Sequence, residues 1–257
     1  MTAAITGDRR PGWTPVAHPS RTSTRPGGGH RALRPVTPGS PPTVMPLCPA
    51  NRAAAFEAVM MLRCTAPIAA RRRVTSAQLD HRMVPDASGV LNEFNQPAPA
   101  YRLVRLLAVL DIGSRVEARL HGGRHRFQVY RVIVSPSDGP ILRRLFDEAW
   151  RSGFLLLCRV SDRSLPRWQQ HDRRVLAVTA WRAALMAAGR RRSANLALRL
   201  ADPDTTSVLV NGARIMGVHT QAQARSGCHL LSVPPSSRLN RLCAATDGDT
   251  ETLEDAV

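Results

Sequence analysis

The spacing of hydrophobic and polar residues predicts a first series of helices and strands that begins at residue 53. Residues 53–64, AAAFEAVMMLRC, are apolar all round and rich in helix formers, which predicts a buried helix. Further along, SRVEARLH and HRFQVYRVIV alternate in character on either side of a Gly-Gly pair, which is typical of a β-hairpin. The rest of the series is a strand at 72–80, an irregular stretch at 81–99, a helix at 100–113 closed by Gly113, and a helix at 138–150 with Asp138 as its N-cap.

After a less regular stretch at 151–172, the same order of elements is predicted again. The second series is a buried helix at 173–189, a strand in ANLALRLAD, a helix at 204–217 closed by Gly217, a hairpin turning at SG, and a short helix at 236–246. The letters also match without a gap when 113–129 is placed over 217–233, so that His125 falls on His229. This self-similarity predicts an α+β fold built as a tandem αββαββα duplication with pseudo-twofold symmetry and two antiparallel sheets.

The expected organisation is therefore two repeats with extensions at both ends. Residues 1–50 are rich in Pro, Gly, Ser, Thr and Arg and lack a hydrophobic period, which predicts disorder. Their arginines could form a loose arm that touches DNA, but an unstructured extension, or translation from Met45, is the simpler interpretation. The predicted segments are 1–50 as the extension, 51–150 and 173–247 as the repeats, 151–172 as a linker and 248–257 as an acidic tail.

Composition points towards a polyanionic partner. The formal net charge is +17, and all 36 cationic residues are Arg. Such a charge favours association with nucleic acid, although Arg without Lys also suggests a GC-rich coding sequence, so that part of the charge reflects codon bias. The five cysteines form no CxxC pair, and no apolar run is long enough to span a bilayer. We expect a reduced, cytoplasmic protein that contacts neither a membrane nor a small-molecule substrate.

The ordered series resembles the LAGLIDADG homing-endonuclease fold and, more closely, the WhiA family of sporulation and cell-division regulators. AAFEAVMMLRC resembles the first motif helix of that family, AWRAALMAAG the second, and 201–233 the helix–strand–hairpin that follows. The resemblance covers about residues 53–255 and implies that the lead helices pair on the pseudo-twofold axis, with the two sheets forming a saddle over DNA. It also implies regulation of transcription without catalysis. WhiA proteins continue into a helix-turn-helix domain, which a partner regulator would have to supply here.

Catalytic chemistry finds little support in the residues. The ends of the lead helices read LRCTA and MAAGR, without the carboxylates that endonucleases use to hold Mg²⁺. His121 and His125 could be metal ligands, but no Cys or carboxylate nearby completes a zinc site. The Gly-Gly pair has strands on both sides, which excludes a nucleotide-binding loop. We therefore expect no enzymatic activity, no metal and no cofactor, with Phe56 and Trp181 serving as packing residues.

Strand alternation supplies the candidate DNA-binding residues. In the first hairpin it places Arg115, Glu117, Arg119 and His121 on one face, with Val116, Ala118 and Leu120 on the other. On the return strand, Arg126, Gln128 and Tyr130 are polar and predicted to join the polar face, while Phe127, Val129 and Ile133 are predicted to face inward. The predicted DNA contacts are Arg115, Arg119, His121, Arg126, Gln128, His219, Gln221, Gln223 and Arg225.

Two further interpretations of the polar faces stay open. Any half-solvated antiparallel sheet has a polar outer side, so the faces could be no more than solvated surface. The chain could also be a protein-interaction module, or a decayed paralogue that no longer binds DNA by itself. The RRR runs at 71–73 and 190–192 could add phosphate contacts or simply be solvated.

Overall fold

A computed structural model of the chain describes residues 48–66, 83–122, 126–159, 165–188, 190–192 and 195–234, together with 240 and 243. All of these belong to one unit, Met45–Val257. The N-terminal extension, the strand predicted at 72–80, most of the helix predicted at 236–246 and the acidic tail lie outside the described residues.

The described residues form five α-helices and seven strands. In chain order they are α1 Pro49–Cys64, β1 Val90–Phe94, α2 Pro97–Val109, β2 Ser114–His121, β3 Phe127–Val134, α3 Gly139–Phe154, α4 Arg167–Ala188, β4 Arg190–Arg192, β5 Asn195–Leu200, α5 Pro203–Ile215, β6 Gln221–Arg225 and β7 Cys228–Val233. A 3₁₀ turn precedes α3 and a π-helical turn, Leu155–Arg159, follows it.

The two sheets confirm the predicted α+β duplication. Sheet 1 has the strand order β1-β3-β2, and sheet 2 has the order β4-β5-β7-β6; every pairing is antiparallel. In each sheet the hairpin's return strand lies in the interior, between its outgoing strand and a strand from earlier in the same repeat. Sheet 2 differs by the short edge strand β4. The same connectivity thus occurs twice in one chain.

The lead helices α1 and α4 pack against each other and form the centre of the hydrophobic core. Phe56 of α1 and Trp181 of α4 are both fully buried, which confirms their predicted packing role. The Trp181 indole donates a hydrogen bond to the Leu209 carbonyl at 2.9 Å, so the core satisfies its polar atom. Because each helix also carries its own sheet and second helix, this central pair joins the two repeats.

Two predicted helix boundaries are wrong. Helix α2 ends at Val109, and the left-handed residue that follows is Asp111, with φ 59°, whereas Gly113 was expected to close the helix. Asp tolerates this conformation better than most side chains, and the Ile112 N–H then reaches the Leu107 carbonyl at 2.9 Å. Asp138 does not cap α3 with its side chain, because it belongs to the preceding 3₁₀ turn. Gly217 closes α5 as predicted, with φ 70°.

The stretches predicted to be irregular contain regular structure where they are described. Within 81–99 lie β1 and the start of α2, and within 151–172 lie the end of α3, the π-helical turn and the start of α4. The predicted linker is therefore helical, because its apolar run GFLLLC continues the buried side of α3: Gly153 and Leu157 are both buried. The Arg173 guanidinium donates to the Leu157 carbonyl at 3.4 Å, inside the π-helical turn.

Candidate nucleic-acid interface

The backbone register of sheet 1 defines its two faces. Residues directly opposite each other in an antiparallel pair point to the same side. Val116 lies opposite Val132, and Ala118 lies opposite Tyr130. Val132 belongs to the hydrophobic core and Tyr130 packs against it, so this is the inner face. The other side, here called outer face 1, carries Arg115, Glu117, Arg119 and His121 from β2, Phe127, Val129, Arg131 and Ile133 from β3, and Val90 and Glu93 from β1.

Three of the predicted DNA contacts in sheet 1 lie on outer face 1, and one does not. Arg115, Arg119 and His121 are there, and both arginines are exposed. Gln128 lies opposite Leu120 and belongs to the inner side of the sheet, so its predicted place on the polar face is wrong. Arg126 precedes β3 and is exposed in the hairpin loop rather than on a strand.

The return strand is therefore turned over relative to the prediction. Phe127, Val129 and Ile133 were expected to face inward, yet they lie opposite His121, Arg119 and Arg115 on outer face 1. Val129 and Ile133 are buried but do not belong to the core cluster beneath the sheet. Tyr130, expected on the polar face, packs against that core.

The lengths of the two hairpin loops explain the error. In sheet 1 the last pair is His121 with Phe127, which leaves five residues in the loop; in sheet 2 the last pair is Arg225 with Cys228, which leaves two. Because the difference is odd, an ungapped match that keeps the outgoing strands in phase puts the return strands out of phase. The match of His125 to His229 is wrong for this reason, since His229 sits in a strand opposite Ala224 while 123–125 belong to the longer loop.

Sheet 2 carries its polar residues where the alternation predicted. Gln221, Gln223 and Arg225 lie opposite Ser232, Leu230 and Cys228, and every residue of β6 is exposed. Leu198 and Leu231 of the opposite side are fully buried in the core. The side bearing Gln223 is called outer face 2. The predicted contact His219 is exposed but precedes β6, so it does not lie on a strand.

Outer face 1 is organised by ion pairs. The Arg119 Nε donates to Glu117 Oε1 at 2.7 Å along β2. Arg131, on the central strand, lies 2.6 Å from Glu93 Oε1 on β1, and its Nη2 lies 3.3 Å from the Nε2 of His121. These pairs hold the guanidinium groups across the surface of the sheet and partly cancel their charge.

Outer face 2 has a different electrostatic character. The Arg225 guanidinium donates twice to Gln223 Oε1, at 3.1 and 2.8 Å. Arg199 of β5 shares the face, because it pairs with Leu230, and its Nη2 lies 3.9 Å from the Cys228 sulfur. Among the described side chains of this face there is no acid, so its positive charge is not offset locally.

The structure brings in two arginines that the sequence analysis did not select. Arg131 lies on the central strand of outer face 1 and Arg199 on the corresponding surface of outer face 2. Alternation along β5 could have identified Arg199, since Leu196, Leu198 and Leu200 alternate with it. Arg131 could be assigned only from the register across the hairpin.

The two outer faces meet at a cavity of about 430 Å³, here called the junction pocket. The ends of both lead helices line it, through Thr65 and Ala188 among others. Glu93 reaches it from outer face 1 and Arg199 from outer face 2. A polar surface thus continues from one sheet to the other past the ends of the central helices.

The site offers little for metal or nucleotide chemistry. Within the described ranges, no group of three or more His, Cys, Asp or Glu residues is placed to hold a metal ion. His121 contacts Arg131 and the Phe127 ring, while His125 lies outside those ranges. The Gly-Gly region is flanked by strands, as predicted. Across the part of the chain that the structure describes, no helix is long and apolar enough to cross a membrane.

Comparisons with known proteins gave similarity to solved structures only. No protein-family model and no curated protein matches the chain. The N-terminal LAGLIDADG domain of DUF199/WhiA matches with a TM-score of 0.42 at 12% identity over 77% of this chain and 89% of that domain. Full-length DUF199/WhiA from Thermatoga maritima matches with a TM-score of 0.41 at 11% identity, over 77% of this chain and 60% of that protein.

A homing endonuclease gives a similar result. I-DmoI in complex with DNA and Mn matches with a TM-score of 0.45 at 10% identity, over 76% of this chain and 97% of that one. Identities and TM-scores this low assign neither a family nor an activity to the chain.

Proposed function

We propose that this chain is a non-catalytic DNA-binding protein that contacts duplex DNA through its two outer faces. We further propose that it is a WhiA-like regulator of transcription in sporulation or cell division. A partner regulator would supply the sequence specificity that a helix-turn-helix domain provides in that family.

The observation that carries the DNA-binding proposal is the continuity of the two outer faces at the junction pocket. Glu93 and Arg199 come from different sheets and line the same cavity. A duplex that lay across this surface could therefore meet both sheets at once. An isolated solvated sheet face would offer only a short contact.

The charge of the surface fits a polyanion. Among the described residues the outer faces carry five arginines and two glutamates: Arg115, Arg119 and Arg131 with Glu93 and Glu117 on the first, and Arg199 and Arg225 on the second. Arginine contacts phosphate and the guanine edge, and glutamine can bond the adenine edge. The overall formal charge of +17 adds long-range attraction.

The absence of catalysis is part of the proposal and is supported by the chemistry of the junction pocket. Glu93 is the single acid among the described residues that line it, and Arg131 lies 2.6 Å from its Oε1. Metal-assisted cleavage of a phosphodiester needs several oxygen ligands for hard cations. One carboxylate already paired with a guanidinium supplies too few. The regulatory role rests on the resemblance of the motif helices and the hairpin to the WhiA family.

Binding of a short labelled duplex by the full chain tests the proposal, with salt as the variable. Five neutralised phosphates would give a slope of log K against log[salt] of about −4.5, and Arg119→Ala with Arg225→Ala would reduce its magnitude by about 1.8. The matched control, Arg105→Ala with Arg143→Ala, removes the same charge from exposed positions on α2 and α3. Its slope should stay at the wild-type value.

Two outcomes would contradict DNA binding through the outer faces. One is the absence of binding by the wild-type chain at low salt, which would favour a protein-interaction module. The other is an equal loss in the outer-face variant and the control, which would mean that only net charge matters. The regulatory part is tested separately by transcript levels in a deletion strain: unchanged sporulation and cell-division transcripts would rule it out.

A further inference from the structure

Phe127 is an aromatic side chain on the polar side of sheet 1. It begins β3, lies directly opposite His121 on outer face 1, and is 54% exposed. It does not belong to the hydrophobic core. Leaving a phenylalanine ring in water forgoes a burial free energy of about 1.5–3 kcal/mol, so its position calls for an interaction that folding does not supply.

The ring has an aromatic neighbour and a cationic setting. Its centroid lies 6.2 Å from that of the His121 imidazole, and the two planes are tilted by 35°. Arg131 contacts the same imidazole from the other side, with Nη2 3.3 Å from Nε2. Arg119 occupies the diagonal position across the hairpin, since it pairs with Val129. Exposed Arg126 precedes the strand.

We propose that Phe127 and His121 form a stacking platform for an unpaired nucleobase. This inference rests on the proposed function, because it assumes that outer face 1 meets nucleic acid. A base inside a duplex has both of its faces covered by neighbouring bases, so only an unpaired base can lie flat on a side-chain ring. The flanking arginines would contact the phosphates on either side of that base.

The alternative is contact between Phe127 and a thymine methyl group in the major groove of an intact duplex. The two interactions require different things of the side chain. A methyl contact needs only apolar surface, which leucine also provides, whereas stacking needs a planar ring. Leucine and tryptophan at position 127 therefore separate them.

The test measures binding of the full chain to a single-stranded oligonucleotide, to its duplex, and to the same duplex with one unpaired nucleotide. Phe127→Leu should bind the two probes with unpaired bases roughly 5- to 150-fold more weakly, the range for loss of one stacked base, and bind the intact duplex as wild type does. Phe127→Trp should retain the affinity, and its fluorescence should be quenched by the unpaired base. The control is Leu120→Ala, at a 70% exposed position on the opposite side of the same hairpin.

Each other outcome is decisive. Phe127→Leu that binds all three probes as wild type does would overturn the platform and leave the outer-face arginines untouched. An equal loss on intact duplex and on unpaired probes would overturn it in favour of a groove contact. If the wild-type chain bound none of the probes, the proposed function would fail together with this inference.

Discussion

Arg63 and Asp202 form an ion pair across the two repeats, in the interior of the protein. Arg63 ends α1 and Asp202 is the N-cap of α5; their charged atoms lie 3.8 Å apart, and both side chains are fully buried. The Asp202 carboxylate accepts hydrogen bonds from the Asp204 N–H at 2.9 Å, the Thr205 N–H at 3.0 Å and the Thr205 hydroxyl at 2.6 Å. The guanidinium carbon lies 3.7 Å from the centroid of the Trp150 ring.

Replacing Arg63 by methionine should destabilise the fold substantially. The carboxylate of Asp202 would remain buried without this counter-charge, and breaking a buried pair in this way costs about 3–5 kcal/mol. Asp202→Asn removes the negative charge but keeps an amide oxygen that can accept the capping hydrogen bonds. The double variant Arg63→Met/Asp202→Asn leaves neither charge unpaired, so it should be more stable than the sum of the single effects predicts, by roughly 1–3 kcal/mol.

Urea unfolding followed by far-UV circular dichroism measures these differences. The midpoints should shift while the slope m stays the same, since a changed m would indicate a different denatured or native state. A loss of less than about 1 kcal/mol for Arg63→Met, the size expected of an exposed pair, would refute the argument from burial. Strict additivity in the double variant would refute the direct coupling of the two charges.

Two further predictions concern titratable groups. Burial, and then the negative charge of Asp202, raise the pKa of the Cys64 thiol far above its ordinary value, so iodoacetamide should label exposed Cys48 in the native protein and Cys64 only after unfolding, as peptide mass mapping would show; native labelling of Cys64 would contradict this. Hydrogen bonds from the Ser88 hydroxyl and the Val90 N–H hold the pKa of Asp86 below its ordinary value, so this group stabilises the fold above its unfolded-state pKa, and that contribution disappears as the pH falls through the lower, folded value. Ser88→Ala should therefore lower the free energy of unfolding at neutral pH and lose this effect in acid, and a difference that grew on acidification would disprove the assignment.

Much of the fold was predictable because local sequence determines it. The buried helices around Phe56 and Trp181 follow from apolar residues in helical spacing, and both hairpins follow from alternation around glycine. The π-helical turn and the true end of α2 were not predictable in the same way. They depend on long-range or cap contacts, such as the Arg173 guanidinium at the Leu157 carbonyl, that no local pattern encodes.

The candidate site shows where sequence reasoning ended. Within β2 and within β6, alternation placed Arg119 and Gln223 on the correct sides of their strands, because successive side chains of one strand must point in opposite directions. Across the first hairpin the inference was wrong, and Phe127 and Gln128 exchanged faces. The face of a return strand depends on which residues pair across the loop.

The sequence by itself thus determined the order of the elements, the duplication and the internal alternation of each strand. Only the tertiary structure decided which strand faces combine, that Arg131 and Arg199 join them, and that Glu93 and Arg199 meet in one pocket. The physical reason is the range of the interactions. Periodicity arises from the backbone geometry of neighbouring residues, whereas register and the packing of two repeats arise from hydrogen bonds and contacts between residues far apart in the chain.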